Sequence, residues 1–288
     1  MLKKIFKIIF SFIFFIDLLF VKFFKKSFLA LFKDLYEEKS YTNIRILNKK
    51  ITFFTPNQIS RWRVNTFYTK ERETLHWIDN FIDQENNVFW DIGSNIGLYS
   101  IYASVVHKKI SVVSFEPSTS NLRILSRNIS INKYEDKIKI FQLPLSDQEN
   151  KYQLMNESEF IEGFSQNTFG KSIDFKGSNF IPKNTYNIIG TSINHLLKND
   201  ILNFPNYIKI DVDGIEHIIL RGASEFLSDK RLKSVLVELN EDYKDQFNEV
   251  KKLMENSNFK FKFKKEIKFE INKIKYKLFN YIFDKNEY

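Results

Sequence analysis

No cysteine occurs in the 288 residues, which excludes a disulfide framework, a thiolate nucleophile, a Cys-type zinc site and an iron–sulfur cluster. A reducing compartment is allowed and none is demanded. Glycine and proline are scarce, at 8 and 5, and there is no Pro/Gly/Ser tract or long block of like charge. Collagen, low-complexity disorder and simple repeats are thereby excluded. What remains is a globular composition, 43% hydrophobic and 27% charged, on a chain long enough to bury a sizeable core without covalent staples. The 31 phenylalanines are read as compositional bias and carry no functional weight.

Charge is unevenly placed. The 44 Lys and Arg exceed the 35 Asp and Glu, giving a formal +9 that gathers at the two ends, with Lys3, Lys4, Lys7, Lys22, Lys25 and Lys26 near the start and a basic run over 260–277. Such ends suit an anionic surface: acidic lipid, a phosphate-bearing glycolipid or nucleic acid. Residues 8–21 are apolar except for Ser11 and Asp17. As a helix they would measure about 21 Å, short of the roughly 30 Å hydrocarbon core. Asp17 interrupts the run and Lys25-Lys26 follow without a nearby small-x-small site, which disfavours a signal peptide. At about 100° per residue, the lysines and Ser11 fall within an arc of roughly 140°, with Phe and Ile filling much of the remainder. Residues 1–36 are therefore expected to make peripheral contact with an acidic membrane, on its inner, cytoplasmic face. The alternative is a helix that docks its Phe face on the domain core or on a second subunit.

The rest of the chain divides into a basic helical segment, 1–40, and one larger domain, 60–288. A helix is expected over 71–82, then strands and helices alternate: strand 88–90, helix 96–106, strand 112–115, helix 122–131, strand 138–145. After a polar, irregular stretch from 150 to 187 come strand 207–210, helix 215–227, strand 234–239 and helix 243–254. This order argues for an α/β, Rossmann-like, doubly wound and mostly parallel sheet. Phe259, Phe261 and Phe263 alternate with lysines, and 271–283 can return beside them, so an antiparallel pair closes one edge. Lysines on such an edge discourage aggregation. The long stretch 150–187 is expected to form part of the substrate site.

The strongest local signal is VFWDIGSNIGLYS, 88–100, where a strand runs into a glycine-bearing turn and a helix. A dinucleotide fingerprint would need glycines at the positions of Gly93, Asn95 and Leu98, and two of the three fail. No GK[ST] follows, so the loop is not a P-loop. The segment fits the first motif of Rossmann-like S-adenosylmethionine-dependent methyltransferases, whose ligand has no phosphate. Asp91, Gly93, Ser94, Asn95 and Gly97 are then candidates to line the cofactor, Gly93 and Gly97 giving close backbone approach. Glu116, in SFEP, ends the second strand where a carboxylate can accept hydrogen bonds from ribose hydroxyls. The cofactor is a cation with vicinal hydroxyls, so acidic groups suit its rim. Ser146, at the end of the third strand, is the candidate for the adenine pocket, with Asp147 beside it.

Six blocks in order resemble the FkbM-type methyltransferases: ERETLHWI (71–78), VFWDIGSNIGLYS, FEPSTSNLRILSRNISIN (115–132), LPLSD (143–147), YIKIDVDGIEHIILRGA (207–223) and VLVELNED (235–242). Together they cover residues 65–245. The resemblance implies an S-adenosylmethionine-dependent O-methyltransferase acting on a hydroxyl of a sugar, polyketide or related metabolite, and the expected acceptor here is a sugar of a surface glycan or glycolipid. Three positions depart from the family pattern. Ser94 replaces the usual small residue, Asp213 the usual Glu, and Ile193-Asn194 the usual Leu-Asp.

The ligand of an open α/β sheet lies at the carboxyl ends of its strands, near the switch point. Asp91, Asp211, Asp213 and Glu238 converge there. Asp211 is the candidate base for a hydroxyl, supported by Glu216 or Glu238. No dedicated metal motif is visible, although Asp211 and Glu238 could share magnesium. His107 and His195 are expected at the surface, and His217 could be exposed. A protein or nucleic-acid methyltransferase is a rival reading, disfavoured because the basic residues avoid the glycine loop, and nucleic acid is not expected as a partner. A membrane-associated scaffold with a degenerate site is another. Oligomeric state is left open.

Overall fold

The computed structural model describes residues 2–82, 86–267, 270–271, 274–275 and 277–286. Two helices, α1 (Leu2–Phe24) and α2 (Phe28–Glu38), precede a hairpin, β1 (Tyr41–Ile46) and β2 (Lys49–Phe54), and three short helices, α3 (Gln58–Asn65), α4 (Phe67–Lys70) and α5 (Arg72–Asp79). The alternating part opens with β3 (Asn87–Ile92), α6 (Leu98–Val106), β4 (Ile110–Phe115), α7 (Thr119–Ile131) and β5 (Ile138–Phe141). An insert contributes β6 (Lys151–Glu157), β7 (Asn167–Phe169) and β8 (Asn184–Gly190). Then come α8 (Ile193–Lys198), β9 (Tyr207–Ile210), α9 (Glu216–Arg221), β10 (Ser234–Asn240), α10 (Lys244–Asn256) and β11 (Phe259–Glu266). The pair β12 (Glu270–Ile271) and β13 (Ile274–Lys275) leads to β14 (Leu278–Lys285).

The main sheet has the order β11-β14-β10-β9-β3-β4-β5. Its four pairings from β10 to β5 are all parallel, and β14 and β11 add the expected antiparallel edge. Every residue of β3, β9 and β10 is buried. Strands covered on both faces are written as nearly continuous apolar runs, which is why they were readable from sequence. The strand order reverses between the parallel neighbours β3 and β9, so their carboxyl ends open the crevice.

One face packs Trp90, Ile92, Ile210 and Val237 against α8, α9 and α10, through residues such as Leu196, Ile219 and Met254. The other sets Phe89, Val112, Tyr207 and Leu236 against α5, α6 and α7. The hairpin belongs to this second core. Phe53 and Phe54 are fully buried, and Asn128 on α7 accepts the Phe54 N–H at 2.7 Å.

Several expectations change. The stretch 150–187 is not irregular: β6 pairs antiparallel with both β7 and β8, forming a separate three-stranded sheet. The third strand of the main sheet stops at Phe141, and α9 stops at Arg221. The returning strand begins at Leu278, and part of the expected span 271–283 lies outside the described residues. His107 is buried, with Nε2 2.7 Å from the Ile78 carbonyl and its ring stacked on Phe81, so it is a core residue. His217 is buried against Tyr243, and burial lowers its pKa.

Candidate active site

The face of the sheet that carries Phe89, Tyr207 and Leu236 changes character toward the carboxyl ends. Side chains two residues apart share a face. The next members of that face are therefore Asp91 after Phe89, Lys209 after Tyr207, and Glu238 after Leu236, with Asp211 following Lys209. An apolar rung gives way to an ionic one. Lys209 is 1% exposed and its ammonium lies 3.0 Å from Asp211 Oδ2, with the Tyr99 ring 5.1 Å away. Burial alone would lower the Lys209 pKa, but Asp211, Asp91 and Glu71 together raise it. Glu71 accepts the Tyr99 hydroxyl at 2.7 Å and pairs with Lys70. Burial opposes its ionisation, yet Lys70 and Lys209 hold its carboxyl down at about 2.

The crevice above this rung is lined by Gly93, Asn95, Glu116, Asp211 and Asp213 on its polar side. Leu143, Pro144, Leu145 and Ile219 form part of its apolar side. Glu116 is buried and accepts the backbone N–H of Asn95 at 2.8 Å and of Ser118 at 2.9 Å. Burial nevertheless pushes its carboxyl up to about 8. Asp213 has φ +61°, a left-handed conformation that aspartate tolerates better than most residues, and this accounts for Asp at that position.

A strap from the insert, residues 158–166, crosses the mouth. Asn121 Oδ1 accepts the Gly163 N–H at 2.7 Å, Asn95 donates to the Phe164 carbonyl at 3.1 Å, and Asp213 accepts the Gln166 N–H at 2.6 Å. Arg63 donates to the Gly163 carbonyl from α3. The long insert thus reaches the site, as its length suggested. Phe164 and Ser165 of the strap line the crevice together with Asn95 and Asp213.

Not every candidate faces the crevice. Asp91 is fully buried below it, accepting from Ser100 Oγ at 2.6 Å. The two glycines serve the protein's own packing: a Cβ on Gly93 would meet the Asp211 carbonyl oxygen at 1.9 Å, and one on Gly97 would meet Leu125 at 2.6 Å. Ser94 lies beneath the turn, against the Phe115 carbonyl. Ser146 Oγ accepts the Gln148 N–H at 3.0 Å, and Asp147 pairs with Arg221 at 2.6 Å, so Leu143 to Leu145 line that end instead. Glu216 is committed to its own turn, accepting from the N–H groups of Val212 and Gly214 and from Gln246. It does not line the crevice, and burial pushes its carboxyl up to about 8. Glu238 is 7% exposed, and burial with Asp211, Asp213 and Glu71 raises its pKa well above the ordinary range. Among the described residues, no group of three or more His, Asp or Glu could hold a metal ion. Lys209 and Glu71 went unassigned in the sequence. The available signal was a lysine inside YIKI, an otherwise apolar central strand.

The raised carboxyls have a consequence for stability. Glu116 and Glu216 at about 8 and Asp213 at about 6 mean that the folded chain binds protons that the unfolded chain releases near pH 4 to 4.5. The stability from these groups is complete below the unfolded values and is lost as pH rises through about 6 and then about 8. Thermal unfolding of the ligand-free chain followed by circular dichroism should show a midpoint that falls by several degrees between pH 5 and 8.5, roughly.

A family model described as the methyltransferase FkbM domain matches residues 91–261, more than half of the chain. The chain belongs to the FkbM methyltransferase family. Similar curated proteins include methyltransferase sdnD of Sordaria araneosa, 23% identical over 55% of this chain and 69% of that protein. Hexuronic acid methyltransferase AglP of Haloferax volcanii is 27% identical over 56% of this chain, and the match spans 60% of its length. Among solved structures, M. jannaschii TYW2 in complex with AdoMet superposes with a TM-score of 0.43 at 13% identity, over 86% of this chain and 87% of that one. An rRNA methylase from Streptococcus thermophilus gives 0.45 at 12% identity, over 76% and 97%.

As an FkbM methyltransferase the chain uses S-adenosylmethionine, and the donor set of the crevice suits that cofactor. Among the described lining residues none is Lys, Arg or His, while Glu116, Asp211 and Asp213 supply carboxylates. The amide oxygens of Asn95 and Asn167, both in the lining, are buried without a hydrogen-bond partner. Acceptors in excess of donors match a cation bearing hydroxyl and ammonium groups. Glu116 and Asn95 would hold the ribose, and Asp211 and Asp213 would face the cationic end. Replacing Glu116 with glutamine removes a charge-assisted acceptor, which should weaken binding of the cofactor by about tenfold or more in calorimetric titration. The wild-type affinity should rise with pH toward about 8, because hydroxyl donors favour the ionised Glu116.

Proposed function

We propose that this methyltransferase transfers its methyl group to a sugar hydroxyl in a glycan, glycolipid or related metabolite. The observation that carries the reading is Asp211 in the cofactor crevice, one carboxylate oxygen tied to Lys209 and the other without a hydrogen-bond partner among the described residues. The hexuronic acid methyltransferase among the relatives supports a sugar acceptor. When bound, S-adenosylmethionine supplies an electrophilic methyl on a sulfonium, so the protein has to position an oxygen and remove its proton. Asp211 takes that proton as the hydroxyl attacks. Lys209 fixes the carboxylate, and burial with Asp211 and Asp213 nearby raises the Glu238 pKa, which makes Glu238 a poor second base. The strap, held at the crevice through Asn95, Asn121 and Asp213, would keep water from the reacting atoms.

The test incubates the purified chain with methyl-labelled cofactor and a panel of nucleotide sugars, oligosaccharides and glycolipids, and locates the label by NMR. A base-stable methyl ether on a sugar carbon is the expected product. Label in a base-labile ester, in protein or in RNA would reassign the acceptor. Cofactor binding without transfer to any member of the panel would favour the scaffold reading.

A further inference from the structure

The two helices that precede the domain keep their apolar faces to themselves. On α1, Ile8, Phe12 and Phe23 are 71%, 66% and 74% exposed, and Phe15 and Leu19 lie on the same side. On α2 no residue is buried, and Leu31, Phe32, Leu35 and Tyr36 are exposed. The domain meets α2 through its polar side, where Glu37 pairs with Arg123 of α7. The Phe face is therefore not docked on the core, which was one of the sequence alternatives.

Asp17 explains how a charge survives in this apolar run. It is 4% exposed, and its carboxylate accepts the Ser27 hydroxyl at 2.7 Å and the N–H groups of Phe28 and Leu29 at 2.8 and 3.2 Å. The residue that breaks the hydrophobic pattern joins Ser27, the N-cap, in satisfying the first N–H groups of α2. With Lys25 at φ +56°, it folds the two helices into a fixed elbow and removes its own charge from the outer face. Lys4, Lys7 and Lys22 sit together on one edge of α1, and Lys25 and Lys26 lie in the elbow. No helix among the described residues is long and apolar enough to cross a membrane.

We propose that the α1–α2 elbow is a docking surface for a bilayer rich in acidic lipid, lying in the interface plane with its Phe and Ile side chains below the headgroups and its lysines on the phosphates. Charge selects this occupant. A second copy would set one lysine edge near another, whereas lipid phosphates neutralise it. The apolar arc suits insertion to acyl depth without spanning.

The test uses the whole chain with vesicles of phosphatidylcholine, alone or mixed with phosphatidylglycerol, read by co-sedimentation. Binding should be at least about tenfold tighter on the mixed vesicles and should weaken as salt is raised. Replacing Phe12 and Phe23 together with glutamate should reduce that binding at least about tenfold. Replacing Lys4, Lys7 and Lys22 with glutamine should abolish the preference for acidic lipid. Both variants should keep wild-type affinity for S-adenosylmethionine, which shows that the domain is folded. Equal binding to the two vesicle types would overturn the proposal. So would failure to bind either type, and a concentration-dependent dimer that the Phe12→Glu, Phe23→Glu variant disperses would then assign the face to a second copy.

Discussion

Replacing Lys209 with methionine should destabilise the folded chain by about 3–5 kcal/mol, the usual cost of leaving a buried charge without its partner. The methionine fills much of the same volume, so the loss is electrostatic rather than a cavity. Lys209 stands 1% exposed between Asp211, Asp91 and Glu71, and its ammonium opposes all three. Asp91 is already pushed above the ordinary carboxylate range by burial, and Lys209 is the first charge holding it down. Without the cation, Asp91 and Glu71 must take up protons or repel each other. The defect should therefore shrink as pH falls and grow as it rises, since protonation neutralises the orphaned carboxyls. Urea titrations at two pH values check both points. Adding Asp91→Asn to Lys209→Met should restore part of the loss, whereas independent sites would give additive losses. A change below about 1 kcal/mol at neutral pH would show that the ionic rung is not held by this lysine.

The sheet was legible because its central strands are buried on both sides, and YIKI at β9 was placed to the residue. The hairpin β1–β2 was not, since its strands are half-buried mixtures whose apolar residues only make sense against α7. The insert was missed for a similar reason: β6 and β8 pair with each other across a long loop and alternate weakly. In the site, position was easier to read than contact. The turn at Gly93 and the carboxylate at Glu116 follow from a strand that ends where a ligand must sit. What the glycines approach was not readable, and it is the Asp211 backbone and Leu125. Glu216 shows the same limit. An acid in the first turn of a helix looks alike whether it faces a substrate or bonds the amides of its own turn. Lys209 and Glu71 acquire meaning only when remote segments meet, and the strap's hold on Asn95, Asn121 and Asp213 is likewise a tertiary fact.

Replacing Asp211 with asparagine should lower turnover by about 10² to 10⁴, the range for removing a positioned base from proton transfer. Asparagine keeps the shape, and its amide oxygen can still face Lys209, so folding and the geometry of the crevice are largely preserved. What disappears is the capacity to accept a proton from the acceptor hydroxyl. The loss should fall on kcat, with a much smaller change in the KM for S-adenosylmethionine, because Glu116 and Asn95 would hold the far end of the cofactor. Glu216→Gln is the control: its carboxyl is bonded to Val212, Gly214 and Gln246, so its replacement should lower thermal stability while the folded fraction turns over at near the wild-type rate. If Asp211 served only to neutralise Lys209, the two variants would behave alike, the folded fraction of each turning over at near the wild-type rate. Turnover of Asp211→Asn within about threefold of wild type, at equal folded concentration, would remove Asp211 from the chemistry and leave positioning alone to account for the rate.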